Sequence, residues 1–107
     1  MTSLTFVSDK GVGPTGTALA QVLGVTFRHR ESSYRGGDYL LAGEADQGEH
    51  IIVQRNIDLD VDEPAIAGES PSATVVCVEE TTRPDQVQTA LAEIDIRLVG
   101  RTEPGPI

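Results

Sequence analysis

The sequence has few of the residues that several common functions require. It contains one lysine, Lys10, one cysteine, Cys77, and no tryptophan. Binding to nucleic-acid phosphates needs clustered basic side chains, so a nucleic-acid partner is not expected. A single cysteine cannot form an internal disulfide, and nothing in the sequence therefore indicates an oxidising compartment. No apolar run reaches the ~18–20 residues of a bilayer-spanning helix, so no membrane partner is expected.

Acidic residues outnumber basic ones, and they are unevenly distributed. The 107 residues include 17 Asp and Glu against 8 Lys and Arg, a net charge of −9. Residues 1–43 carry a net +1, whereas residues 44–107 carry −10. Hydrophobic residues and glycines together make up about 49% of the chain, which is typical of a folded protein. We therefore expect a single acidic domain over residues 1–101, with residues 102–107 as a flexible tail and no secretory signal at the amino terminus.

Hydrophobic spacing predicts the element order β-α-β-β-β-β-α-β. The predicted strands lie near residues 4–7, 25–34, 38–42, 50–60, 73–78 and 96–100. The first helix is predicted to begin at Gly13–Pro14 and to stop at Gly24, and the second to have Thr82 as its N-cap with Pro84 in its first turn. The fold class is therefore α+β, an antiparallel sheet of five to six strands with two helices on one face. The strand at 50–60 is expected to bury one face and to leave the other mostly in water.

The segment Gly11-Val12-Gly13-Pro14-Thr15-Gly16 fits the spacing G-x-G-x-x-G between a predicted strand and a predicted helix. Glycines at Gly11, Gly13 and Gly16 would let the backbone approach a phosphate at the helix amino terminus. Pro14 removes one backbone N–H from that position, and the chain is too short for two dinucleotide-binding halves. A small-ligand or phosphate site remains an alternative to a simple turn and helix cap.

The densest group of acidic residues lies in and after the 50–60 strand. We name these five residues the acidic set: Asp58, Asp60, Asp62, Glu63 and Glu69. Their spacing matches parts of a calcium-binding loop, but Glu63 stands where such loops have glycine. Along a strand the carboxylates would be ~7 Å apart, which suits a row of Lys or Arg better than one ion. The acidic set is thus a predicted contact with a basic protein partner, with calcium binding at 58–69 as an alternative.

Catalytic candidates are few. His29 lies between two arginines, and His50 follows a predicted turn. Cys77 lies within a β-branched run, where an inert buried thiol is the expected state. A nucleophilic site needs a base beside the nucleophile, and zinc needs three or four N or S ligands. The sequence therefore predicts no catalytic residue, no metal and no cofactor, and hence a protein that is not an enzyme.

Aromatic and basic side chains occur together around the predicted turn at Gly36–Gly37. Tyr34, Arg35 and Tyr39, which we name the Tyr–Arg set, are of the types that often anchor protein interfaces. They form a second predicted contact, beside the ordinary interpretation of a solvated strand face.

Three stretches together resemble small acidic bacterial proteins of the immunity type. These are residues 31–40 (ESSYRGGDYL), 51–60 (IIVQRNIDLD) and 62–65 (DEPA), and the resemblance covers residues 25–80. Proteins of that type neutralise a toxin by binding to it. The resemblance implies a cytoplasmic inhibitor that binds a cognate toxin domain and blocks its active site. A homodimer is compatible with this prediction.

Overall fold

The computed structural model describes residues 2–32, 37–44, 48–56 and 73–102. Within these residues the chain forms six strands and two helices in the order that the sequence predicts. The elements are β1 (Thr2–Ser8), α1 (Val12–Leu23), β2 (Arg28–Ser32), β3 (Gly37–Ala42), β4 (His50–Arg55), β5 (Thr74–Thr81), α2 (Pro84–Glu93) and β6 (Arg97–Thr102). The strands form one antiparallel sheet in the order β2-β3-β4-β5-β1-β6, which confirms the predicted α+β class.

Four of the strands and both helices form two interlocked units. β1 and β4 run in the same direction on either side of β5, while β5 and β6 run in the same direction on either side of β1. Helix α1 lies between β1 and β4 in the chain, and α2 lies between β5 and β6, so each unit is a split β-α-β of the ferredoxin-like kind. The β2–β3 hairpin follows α1 and extends the sheet beyond β4. This connectivity supports many unrelated activities, so function has to be argued from particular residues.

The core lies between the two helices and one face of the sheet. Helix α1 contacts β3 and β4, and α2 contacts β1 and β6. The buried core side chains are Leu4, Phe6, Leu19, Leu23, Ala42, Ile51, Val53, Val76, Val78, Val87, Leu91 and Ile96. Burying a residue of this kind contributes about 1.5–3 kcal/mol, so this layer is the main source of stability. Neither helix of the described residues is long and apolar enough to cross a membrane.

Both helix boundaries depend on local features of the sequence. Helix α1 ends where Gly24 adopts a left-handed conformation with φ +67°, and the Gly24 amide donates to the Ala20 carbonyl at 3.0 Å. This confirms the predicted stop, because glycine takes that conformation without a steric penalty. Helix α2 has Pro84 in its first turn, as predicted. Val87 and Leu91, one helical turn apart, are fully buried and form the apolar side of α2.

The predicted N-cap of α2 is wrong. Arg83, not Thr82, is the N-cap residue, and no side chain caps the helix. Thr82 is exposed, whereas Thr81 at the end of β5 is buried, and the Thr81 hydroxyl oxygen accepts a hydrogen bond from the Arg83 amide at 3.1 Å. Strand β5 continues three residues beyond the β-branched run, to Thr81, so the hydroxyl that bonds the Arg83 amide belongs to the strand and not to the helix.

Strand β4 is buried on both faces, which corrects the expectation of one wet face. Ile51 and Val53 face the helices, while Ile52 and Gln54 on the other face are only 6% and 7% exposed. The strand lies between β3 and β5, and no buried side-chain N or O among the described residues lacks a hydrogen-bond partner. The polar residues on this second face therefore did not indicate that the face is exposed to water. The part of the predicted strand after Asn56 lies outside the described residues.

Candidate partner-binding surface

Most of the predicted contact residues lie outside the described residues. This holds for the whole acidic set, which comprises Asp58, Asp60, Asp62, Glu63 and Glu69, and for Tyr34 and Arg35 of the Tyr–Arg set. Tyr39 is described and lies in β3, where it is half-buried. The described residues on either side of these segments define where the chain leaves the sheet and where it returns.

The flanking residues lie at one end of the sheet. β1, β2 and β4 end there, and β3, β5 and β6 begin there, because neighbouring strands are antiparallel throughout. We name it the Ser8 end, after the last residue of β1. Ser32 pairs with Gly37 at this end, on either side of Tyr34 and Arg35. The described residues on either side of segments 33–36 and 57–72 therefore lie on neighbouring strands at the same end.

Residues 57–72 start and finish at one point of the Ser8 end. The Asn56 amide donates a hydrogen bond to the Ala73 carbonyl at 2.9 Å, and Arg55 pairs with Thr74 in the ladder just before it. The 16 residues that contain the entire acidic set thus connect the adjacent strands β4 and β5. The residues on either side of this segment are held together by hydrogen bonds of the sheet.

A network of buried hydroxyl groups holds the β1–α1 connection against the start of β5. The Thr74 hydroxyl donates to the Lys10 carbonyl at 2.7 Å. The Ser8 hydroxyl oxygen accepts from the Lys10 amide at 3.1 Å, and Thr15 Oγ1 lies 3.0 Å from Ser8 Oγ. Ser8, Thr15 and Thr74 are each 2% exposed or less, so the Ser8–Thr15 bond is buried and the two bonds to the Lys10 backbone are partly buried. The network fixes the chain beside the residue where the acidic segment returns.

The sequence interpretation missed this network. Serine and threonine at a strand–helix junction are a known signal for side-chain bonds to the backbone. This signal is present in the sequence at Ser8 and Thr15. The Thr74 bond has no local signal, because Thr74 is 64 residues away from Lys10.

Tyr39 lies beside a basic residue on the sheet face that the helices do not cover. Leu40 packs against the core, so the alternation of side chains along a strand directs Tyr39 to the opposite face. Arg30 of the edge strand β2 is its direct cross-strand partner and is exposed. The described member of the Tyr–Arg set thus lies directly beside an exposed arginine.

Most of the net negative charge belongs to residues outside the described part of the chain. The described residues carry seven basic and ten acidic side chains, a net −3, so −6 of the total −9 belongs to the rest of the chain. Residues 57–72 hold −5 of it and no basic residue. Among the described residues several carboxylates are paired, as in Arg28–Glu44 at 2.6 Å and Arg101–Asp85 at 3.1 Å. The excess charge is therefore concentrated in the segment that starts and finishes at the Ser8 end.

The glycine-rich segment has structural explanations at two of its positions. Gly11 is the N-cap of α1, and the Thr15 amide donates to its carbonyl at 3.0 Å. Gly16 is buried, and a Cβ there would overlap the Leu40 side chain. Gly13 has open space around it. Close helix–sheet packing thus accounts for Gly16 without a ligand, and phosphate binding by this segment stays a prediction.

The histidines and the cysteine have ordinary surroundings. His29 Nε2 lies 3.3 Å from Asp38 Oδ1 on the surface, and His50 Nδ1 lies 2.9 Å from the Gly48 carbonyl oxygen. Cys77 pairs with Thr5 and Ile52 in the sheet and is half-buried, less enclosed than expected. No group of three or more His, Cys, Asp or Glu suited to a metal is found in the described part of the chain. The predicted calcium loop at 58–69 lies outside it.

At the opposite end of the sheet, Glu49 forms the best-connected ion pair of the described residues. Its carboxylate accepts from Arg83 Nε at 3.1 Å, from Arg83 Nη2 at 3.0 Å and from the Thr81 hydroxyl at 2.6 Å. The hydrogen bonds from Arg83 lower the pKa of Glu49, against the opposing effect of burial. The same contact raises the pKa of Arg83. This cluster joins β4 to the start of α2, which is a structural role away from the Ser8 end.

Comparison with family models, with curated proteins and with solved structures finds no match for this chain. The candidate surface is accordingly argued from the geometry and charge of this chain alone.

Proposed function

We propose that this protein is a non-enzymatic inhibitor of the immunity type, which binds a cognate basic bacterial toxin through an acidic surface at the Ser8 end. Its proposed site of action is the cytoplasm. The proposed contact residues are the acidic set, supported by the Tyr–Arg set.

The main observation that supports the proposal is that the residues flanking the two sets lie at the same end of the sheet. The two sets are 19 residues apart at their nearest members, Tyr39 and Asp58, yet the residues flanking them lie at one end of the sheet. A protein interface needs about 800 Å² per partner, which one short loop does not supply. The strands that flank the two sets are neighbours in the sheet, and this supports an interface that combines acidic groups with aromatic anchors.

Charge gives the proposal its second support. Five carboxylates without a basic neighbour in residues 57–72 create a local negative potential, and such a field attracts a basic partner during diffusion. Electrostatic complementarity of this kind raises association rates and excludes like-charged proteins. An acidic inhibitor and a basic toxin are one such pair.

The deciding experiment is binding to a purified toxin. The product of a toxin-like gene beside the gene for this chain is expressed in an inactive form, and complex formation is measured by calorimetry and size-exclusion chromatography. Inhibition is then measured with the active toxin. A stoichiometric complex that abolishes toxin activity supports the proposal. Binding without inhibition contradicts the inhibitor role, and the lack of any toxin-like neighbour together with no binding contradicts the whole proposal.

The two small-ligand alternatives are separated by thermal unfolding. A nucleotide present at 100 times its Kd adds about 2.7 kcal/mol to the free energy of unfolding, and calcium at 58–69 would act in the same way. An unchanged melting temperature with nucleotides, inorganic phosphate and calcium removes both. A shift with one of them moves the assignment to a ligand-binding domain.

A further inference from the structure

We draw no further inference here: the strongest candidate, the sheet face opposite the helices where Leu41, Ile52 and Cys77 lie in one cross-strand row, carries nothing because no described residue shows what covers it.

Discussion

The backbone amide of Asn56 donates a hydrogen bond to the carbonyl of Ala73, across 16 intervening residues. This bond extends the β4–β5 ladder by one step beyond Arg55 and Thr74. Described residues thus hold the ladder together on both sides of a segment that has five carboxylates and no basic residue.

The first prediction concerns association with the partner. Replacing Asp58, Asp60 and Asp62 by Asn should slow association with the toxin about tenfold at low salt, because the local field that attracts a basic protein is weakened. Stopped-flow measurements at several ionic strengths test this, and the variant should show the smaller salt dependence.

A charge-matched control separates the effect of local charge on the association rate from the effect of total charge. The triple variant Glu44→Gln, Glu80→Gln, Asp85→Asn removes the same three charges from exposed positions of the described surface. Its association rate should change much less. If both triple variants slow association equally, net charge explains the effect and the acidic set has no special role. If neither does, the acidic set is only a solvated surface.

The second prediction is a pH dependence of stability due to Glu49. Its pKa is lowered in the folded protein, so its contribution to stability is present above the unfolded value of 4.5 and is lost as the pH falls through the lower folded value. Glu49→Gln should therefore cost about 1 kcal/mol at pH 7, an amount reduced by partial exposure. Urea unfolding should show that this difference shrinks below pH 4.5.

The exposed pair Arg28–Glu44 offers the comparison for this measurement. Both of its side chains are 47% exposed, so Glu44→Gln should change stability by less than about 0.5 kcal/mol. A Glu49→Gln difference that stays constant between pH 7 and pH 3 contradicts the role assigned to the carboxylate.

The third prediction concerns the hydroxyl network at the Ser8 end. Thr74→Val keeps the shape of the side chain but removes the donor to the Lys10 carbonyl, which should cost about 1–2 kcal/mol in a buried position. Thr17 makes a similar bond to the Gly13 carbonyl on the exposed side of α1, so Thr17→Val should stay within about 0.5 kcal/mol. Equal effects of the two substitutions in chemical denaturation contradict a special role of the buried network.

The fourth prediction distinguishes two glycines of α1. Gly13→Ala should stabilise the protein by about 0.5–1 kcal/mol, because the added Cβ has no atom within 4 Å and alanine favours a helix more than glycine does. Gly16→Ala should destabilise it by about 1–3 kcal/mol through overlap with Leu40. In a Leu40→Ala background the Gly16→Ala substitution should become stabilising. If it remains equally destabilising there, the packing explanation of Gly16 is wrong.

The fifth prediction concerns Asp95, which has φ +60° just after α2. Asp95→Gly should stabilise the protein by about 0.5–1 kcal/mol, because it removes both a left-handed non-glycine residue and a negative charge at a helix carboxyl end. Glu93→Gly makes the same charge change within the helix and should instead cost about 1 kcal/mol. Thermal unfolding of the two variants should therefore shift in opposite directions.

The sequence by itself determined the class and order of the elements. Gly24 and Pro84 define a helix end and a helix start because their backbone preferences are local, and the apolar stripe at Val87 and Leu91 predicts the buried side of α2 without knowledge of its neighbours. The split β-α-β pairing is not encoded in such local patterns. The predicted contact residues, apart from Tyr39, lie outside the described residues and stay predictions.

Only the tertiary structure decided which distant residues meet. Glu49 and Arg83 are 34 residues apart and join at one end of the sheet, while Lys10 and Thr74 join at the other. Ile52 is likewise buried although the alternation along the strand predicted a wet face there, so its burial is not encoded in local spacing. Local sequence spacing predicts a helix or a strand because the interactions that form such an element involve residues close together in the chain. Strand order decides these contacts because only the pairing of distant strands brings such residues together.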